Sequence, residues 1–250
     1  MNTFKVKHYK HLTFLFFLSF INNILAKACN FDVKVKQILL NEGFHRNITY
    51  GIHFDTENNA NRWFYKDCIV GLDQLLPAGV YANPDELSDL RRMGKLNALP
   101  KNPINIELPT EQSEPSGIYI LGKLSGDRVD LWIPVHARYH QAVTGGGTAR
   151  NEIEAPTLYI RCPDQRLDMC EKHVSKSLSF LCNGGSKEQC SWRVLPYTML
   201  TDTLIWNVPV GDLNQYYLVG IGTGLVVVVG SLYLLNTIHE YNLAAKRKRL

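Results

Sequence analysis

The chain has 250 residues, 45% of them hydrophobic and 20% charged, with 27 Lys+Arg against 23 Asp+Glu. That length accommodates one ordinary domain or two small ones. The positive excess sits at the two ends: residues 29–215 hold 19 basic and 22 acidic side chains, a net of −3, which removes the electrostatic case for nucleic-acid binding.

The amino-terminal stretch carries Lys5, Lys7 and Lys10, an apolar run from Leu12 to Ile21, and then Ala26-Lys27-Ala28. This is the layout of a secretory signal peptide over residues 1–28, cleaved after Ala28; an uncleaved anchor is the alternative. Residues 29–215 then form a lumenal domain in an oxidising compartment. All six cysteines, Cys29, Cys68, Cys162, Cys170, Cys182 and Cys190, fall inside it, and an even count there argues for disulfides. Fifteen pairings are possible; the expectation is Cys29 with Cys68, the other four pairing among themselves. Their spacings do not suit a zinc site.

Within the domain the period-two pattern dominates. Val33 with Val35 reads as a strand, and so does the run from Asn47 to Phe54, where Ile48, Tyr50, Ile52 and Phe54 alternate with more polar neighbours. Asn47-Ile48-Thr49 is an N-glycosylation acceptor, and the alternation turns Asn47 outward. One helix is well signalled: Asn83 caps it, Pro84 takes its first position, Asp85 and Glu86 complement the positive dipole end, and Leu87 with Leu90 makes a short apolar face before Gly94. Ile118 with Ile120, Leu131 through Val135, Leu158 with Ile160, and Leu204 to Trp206 read as further strands. The expected fold is therefore mainly β: an antiparallel β-sandwich with one short helix on one side, an α+β domain being the nearest alternative.

The most conspicuous polar cluster is Val135-His136-Ala137-Arg138-Tyr139-His140. If the strand continues through it, His136, Arg138 and His140 share one face, which suits an anion or, with His45 or His53 as a further ligand, a metal. The alternative is a polar face bonded to neighbouring strands and loops. Gly145-Gly146-Gly147 reads as a flexible turn. Glu152 and Glu154 share a strand face but are more simply read as solvated. No Gly-x-Ser-x-Gly elbow, His-Glu-x-x-His pair or phosphate-cradling loop occurs, so residue chemistry points to a binding or structural module, with no catalytic, cofactor or metal residues assigned.

From Tyr216 to Leu235 no charged residue appears, and about twenty residues at ~1.5 Å each span a hydrocarbon core of ~30 Å. A single transmembrane helix is expected over residues 216–236. Lys246-Arg247-Lys248-Arg249 follows in a cytoplasmic tail, residues 237–250, and the basic asymmetry predicts type I orientation. Lys246 and Lys248 stand fifth and third from the end, as in a dilysine retrieval signal of endoplasmic-reticulum proteins; a topology-setting basic cluster is the alternative. Gly220 and Gly224 have the small-xxx-small spacing that lets another helix approach.

Gly43-Phe44-His45-Arg46, Leu76-Pro77-Ala78-Gly79-Val80-Tyr81 with Pro84-Asp85-Glu86-Leu87, Ile133-Pro134-Val135-His136-Ala137-Arg138-Tyr139-His140, Cys190-Ser191-Trp192 and Val208-Pro209-Val210-Gly211 follow one another along the chain. In that order they resemble the PIG-X family, which is related to the Pbn1 proteins of yeast. The resemblance implies a non-catalytic subunit of GPI mannosyltransferase I. Its partner would be PIG-M, the multi-spanning subunit that transfers the first mannose to the GPI precursor. The motif positions carried over are His45, Arg46, Pro77, Gly79, Tyr81, Glu86, His136, Arg138, Tyr139 and His140, with no individual role implied. From the residues alone, the competing functions are a glycan-binding cargo or quality-control receptor of the endoplasmic reticulum and a His-dependent lumenal hydrolase.

Overall fold

A computed structural model describes residues 32–55, 65–163, 167, 175–182 and 189–247. The expected signal peptide, Cys29, Cys170 and Lys248 lie outside these residues, as does the side chain of Lys246.

In chain order the elements are β1 (Val33–Leu40), β2 (His45–Phe54), β3 (Ile69–Leu76), β4 (Val80–Tyr81), α1 (Pro84–Arg92), β5 (Ala98–Pro100), β6 (Ser116–Lys123), β7 (Arg128–Ala137), β8 (Gly147–Ile153), β9 (Thr157–Arg161), β10 (Ser175–Leu181), β11 (Gln189–Val194), β12 (Thr198–Met199), β13 (Leu204–Val210) and α2 (Tyr216–Arg247). Five strands form one sheet in the order β12-β1-β2-β7-β4, and six form a second in the order β10-β11-β9-β3-β6-β5; β13 and β8 make a separate pair. The neighbours within the two larger sheets run antiparallel, save β1 with β12, which is parallel. The mainly β, antiparallel expectation holds.

Alternation explains the first sheet. On β2, Ile48, Tyr50, Ile52 and Phe54 are buried, while Asn47, Thr49, Gly51 and His53 lie on the opposite face. On β7, Val129, Leu131, Ile133 and Val135 do the same. These side chains share one core with Val70, Leu72 and Leu76 of β3, Ile118 and Ile120 of β6, and Leu158 and Ile160 of β9. Trp206 and Val208 of β13 close it. Each fully buried aliphatic side chain stabilises the fold by about 1.5–3 kcal/mol, so a two-sheet core of this kind is what holds the body together. At Gly122 a Cβ would stand 2.4 Å from Leu131 Cδ2, so a side chain there would force Leu131 to shift.

The expected pairing of Cys29 with Cys68 is overturned: Cys68 is bonded to Cys162. The register gives the reason. Ile69 on β3 faces Arg161 on β9, so the next residues outward, Cys68 and Cys162, come into bonding range. Cys182 is bonded to Cys190 and closes the β10–β11 hairpin.

Residues 140–149 and 209–250 form a compact unit distinct from the β body. In it α2 is exposed from Tyr216 to Ala244, and among the described residues it is the one helix long and apolar enough to cross a membrane. It continues to Arg247, so the start of the expected tail is helical.

Candidate functional site

Three motif side chains stand in one row across the first sheet. His45 on β2 is registered against His136 on β7, and His136 against Tyr81 on β4. Each sits at a position of the pleat that points away from the core, so the three rings meet: His45 is edge-on to His136 at 4.4 Å, and Tyr81 stacks on it at 5.2 Å. β4 is aimed by the turn before it, in which the Val80 amide donates to the Pro77 carbonyl at 2.9 Å.

α1 brings a carboxylate to the same row. Asn83 Oδ1 accepts from the Asp85 amide at 3.0 Å, fixing the first turn, and Glu86 in that turn meets His136, with Oε2 2.7 Å from Nε2. Leu87 is buried beneath, so the helix is held by its apolar side while Glu86 stays partly exposed. Arg138 follows directly after β7. Its amide donates to the Gly79 carbonyl at 2.8 Å, its Nη1 to the Leu108 carbonyl at 2.7 Å, and its guanidinium lies 4.6 Å from the centre of the Tyr81 ring. It is only 5% exposed, its Nε has no hydrogen-bond acceptor, and burial pulls its pKa below the ordinary guanidinium value.

Other motif residues take different places. Arg46 points to the core side of β2 and stacks over Trp206 at 5.2 Å. Tyr139 is 78% exposed, its ring 5.6 Å from Phe44. β7 ends at Ala137, so strand alternation does not extend to His140; His136 and Arg138 meet through Tyr81 instead. His53 lies eight residues from His45 along β2, beside Asp127 at 3.9 Å, and does not join the row. Sequence reading missed Phe44 as a ring partner and Leu108 as the acceptor for Arg138. Phe44 had a signal in its place in the string Gly43-Phe44-His45-Arg46; Leu108 had none.

The arrangement can bind better than it can catalyse. The His136–Glu86 pair resembles the base and orienter of a hydrolase, yet the groups described around it are the His45 and Tyr81 rings and, beyond Tyr81, the Arg138 guanidinium. Among the described residues no group of three His, Cys, Asp or Glu is placed to hold a metal ion. A cleft of about 520 Å³ opens at the far end of α1, lined by Arg91, Lys95, Asp130 and Trp132 among others; its carboxylate, Asp130, is paired with Arg128 at 2.8 Å.

The model of one protein family, PIG-X / PBN1, matches residues 41–239, which takes in every side chain of this cluster and most of α2. The chain belongs to the PIG-X / PBN1 family. Three mammalian proteins, each named GPI alpha-1,4-mannosyltransferase I, stabilizing subunit, are similar over most of their length. The human protein is 26% identical over 214 residues, 84% of this chain and 81% of its own. Those of rat and mouse are each 25% identical over 220 residues, 86% of this chain and 85% of theirs. Among this PIG-X / PBN1 member's motif strings, those at the start of β2, the turn into β4, the first turn of α1 and the end of β7 meet at one place in the fold, while Cys190-Ser191-Trp192 and Val208-Pro209-Val210 lie on β11 and β13.

Proposed function

We propose that this chain is the stabilising, non-catalytic subunit of a GPI mannosyltransferase I complex in the endoplasmic reticulum membrane, supporting a PIG-M-like multi-spanning catalytic subunit in adding the first mannose. The observation that carries the reading is the family match over residues 41–239 together with relatives of nearly the same length that bear this name. The ring-and-guanidinium cluster supports it, since that surface offers shape and hydrogen bonds to a partner. The relatives' names favour this reading over a glycan-binding receptor.

In this reading the β body is lumenal and the orientation type I, with the end of α2 in the cytosol. Asn47 is N-glycosylated, in keeping with its place on the outward face of β2. Partner contacts come from the exposed rim of the cluster, Tyr139, His45 and Glu86, and from the Gly220/Gly224 face of α2. A Cβ added at either glycine would meet nothing within 4 Å, so no packing within this chain requires a small residue there. Lys246 and Lys248 serve retrieval to the endoplasmic reticulum.

Affinity purification of the tagged full-length chain from mild detergent tests the proposal. A multi-spanning mannosyltransferase is expected to co-purify in near-stoichiometric amount; its absence from material that retains folded, disulfide-bonded chain would count against the assignment.

A further inference from the structure

A loop far earlier in the chain is tied to the root of the membrane helix. The Val143 amide donates to the Gly211 carbonyl at 3.0 Å, the Leu213 amide donates to the Val143 carbonyl at 3.0 Å, and Val143 bridges Asp212 in parallel. Asp212 Oδ1 accepts from the amides of Gly145 at 2.8 Å and Asn214 at 2.9 Å, so its charge is spent on holding the two segments together. The chain turns back through Gly145, Gly146 and Gly147, all at positive φ. This turn is a fixed structure, closed by the Gly146 amide on the Val143 carbonyl at 3.1 Å.

The outcome is a group of exposed apolar and aromatic side chains at the root of the helix. Val143 is 47% exposed, Leu213 49%, Tyr216 67% and Tyr217 77%. Leu213 lies three residues before Tyr216, where α2 begins, and no Asp, Glu, Lys or Arg occurs between Leu213 and Ile238. Residues 140–149 likewise contain no Asp, Glu, Lys or Arg. Nothing charged in the loop opposes its entry into a headgroup layer, and nothing basic draws it toward anionic lipid.

We infer that the Val143 loop is a membrane-contacting element: Val143, Leu213, Tyr216 and Tyr217 form an uncharged collar that sits in the interfacial layer of the bilayer where α2 enters it. The occupant of this apolar surface is phospholipid, because the surface is continuous with a helix whose own exposed residues require it. Two tyrosines at a helix end suit that layer, with ring in the acyl boundary and hydroxyl among headgroups. The collar extends contact with the bilayer from one strand of backbone to two, which fixes the tilt and rotation with which the helix leaves the membrane. The inference rests on α2 crossing the membrane and is independent of which partner the chain stabilises.

The test places the photoreactive residue p-benzoylphenylalanine at Val143, at Leu213 or at Tyr217 of the full chain, reconstituted in phosphatidylcholine nanodiscs. Irradiation is expected to give lipid adducts at Val143 and Leu213 with yields within about threefold of that at Tyr217, unchanged when phosphatidylserine replaces part of the lipid. Lipid adducts at Tyr217 but at neither Val143 nor Leu213 would overturn the collar while leaving the membrane helix intact. Lipid adducts at none of the three would overturn the helix assignment and the collar together. In native membranes, capture of protein in place of lipid at Val143 would also overturn the proposal.

Discussion

Gln74 lies fully buried between the two sheets and bonds in four directions. Its Oε1 accepts from Gln37 Nε2 and from the Tyr50 hydroxyl, each at 2.9 Å, while its Nε2 donates to the Leu75 carbonyl at 2.8 Å and the Glu154 carbonyl at 3.0 Å. Gln74→Ala therefore orphans two buried donors at once. At about 1–3 kcal/mol for each group left unpaired, urea denaturation of the detergent-solubilised chain is expected to show a loss of roughly 3 kcal/mol. Buried phenols predict a second behaviour. Burial raises the pKa of Tyr50 and Tyr197 and lifts Tyr65 to about 12 from 10.0. The folded state then holds these protons more tightly than the unfolded state, so their contribution is complete below pH 10.0 and is lost as pH rises through the raised values, about 12 for Tyr65. Tyrosinate absorbance for these residues should appear together with unfolding rather than before it. Neither feature was legible in the sequence: Gln37 continues the inward phase of Val33 and Val35, and Gln74 that of Val70 and Leu72, but only the facing of two sheets turns them into partners.

At the scale of elements, what the sequence showed depended on how many faces an element buries. β2 and β7 bury one face, so Ile48, Tyr50, Ile52 and Phe54, or Leu131, Ile133 and Val135, stood out by alternation. β3 blurs the pattern, with Gly71 buried between Val70 and Leu72 and the apolar Leu75 exposed beside buried Leu76, so it carried no clean period-two signal and went unread. That omission also explains the wrong cysteine pairing, because Cys68 and Cys162 meet only through the β3–β9 register. Chain-entropy arguments for a sequence separation of 94 predict that replacing both cysteines by Ser costs about 4–5 kcal/mol, measurable by urea titration. α1 was legible to its caps, since Asn83, Pro84, the paired acids and Gly94 act locally. Its purpose was not, because the Glu86–His136 bond joins residues 50 positions apart. Asn83→Ala is expected to destabilise by about 1 kcal/mol. Glu86→Gln, at a partly exposed site, is expected to leave stability within about 0.5 kcal/mol while lowering the amount of co-purified catalytic subunit.

At the scale of the whole molecule, the membrane helix was readable because twenty uncharged residues answer to bilayer thickness alone. The candidate surface was readable only as motif strings, because His45, Tyr81, Glu86, His136 and Arg138 are brought together by sheet register. A member of the PIG-X / PBN1 family built this way acts through what it holds. A subunit that binds the folded form of its partner shifts that partner away from unfolding and degradation by mass action. The most direct test is to deplete this chain in cells and measure the level of the mannosyltransferase catalytic subunit, with re-expression of the wild-type chain as control. The account predicts a fall of several-fold in that subunit and in surface GPI-anchored proteins, restored by re-expression. Unchanged levels of both after complete depletion would contradict it.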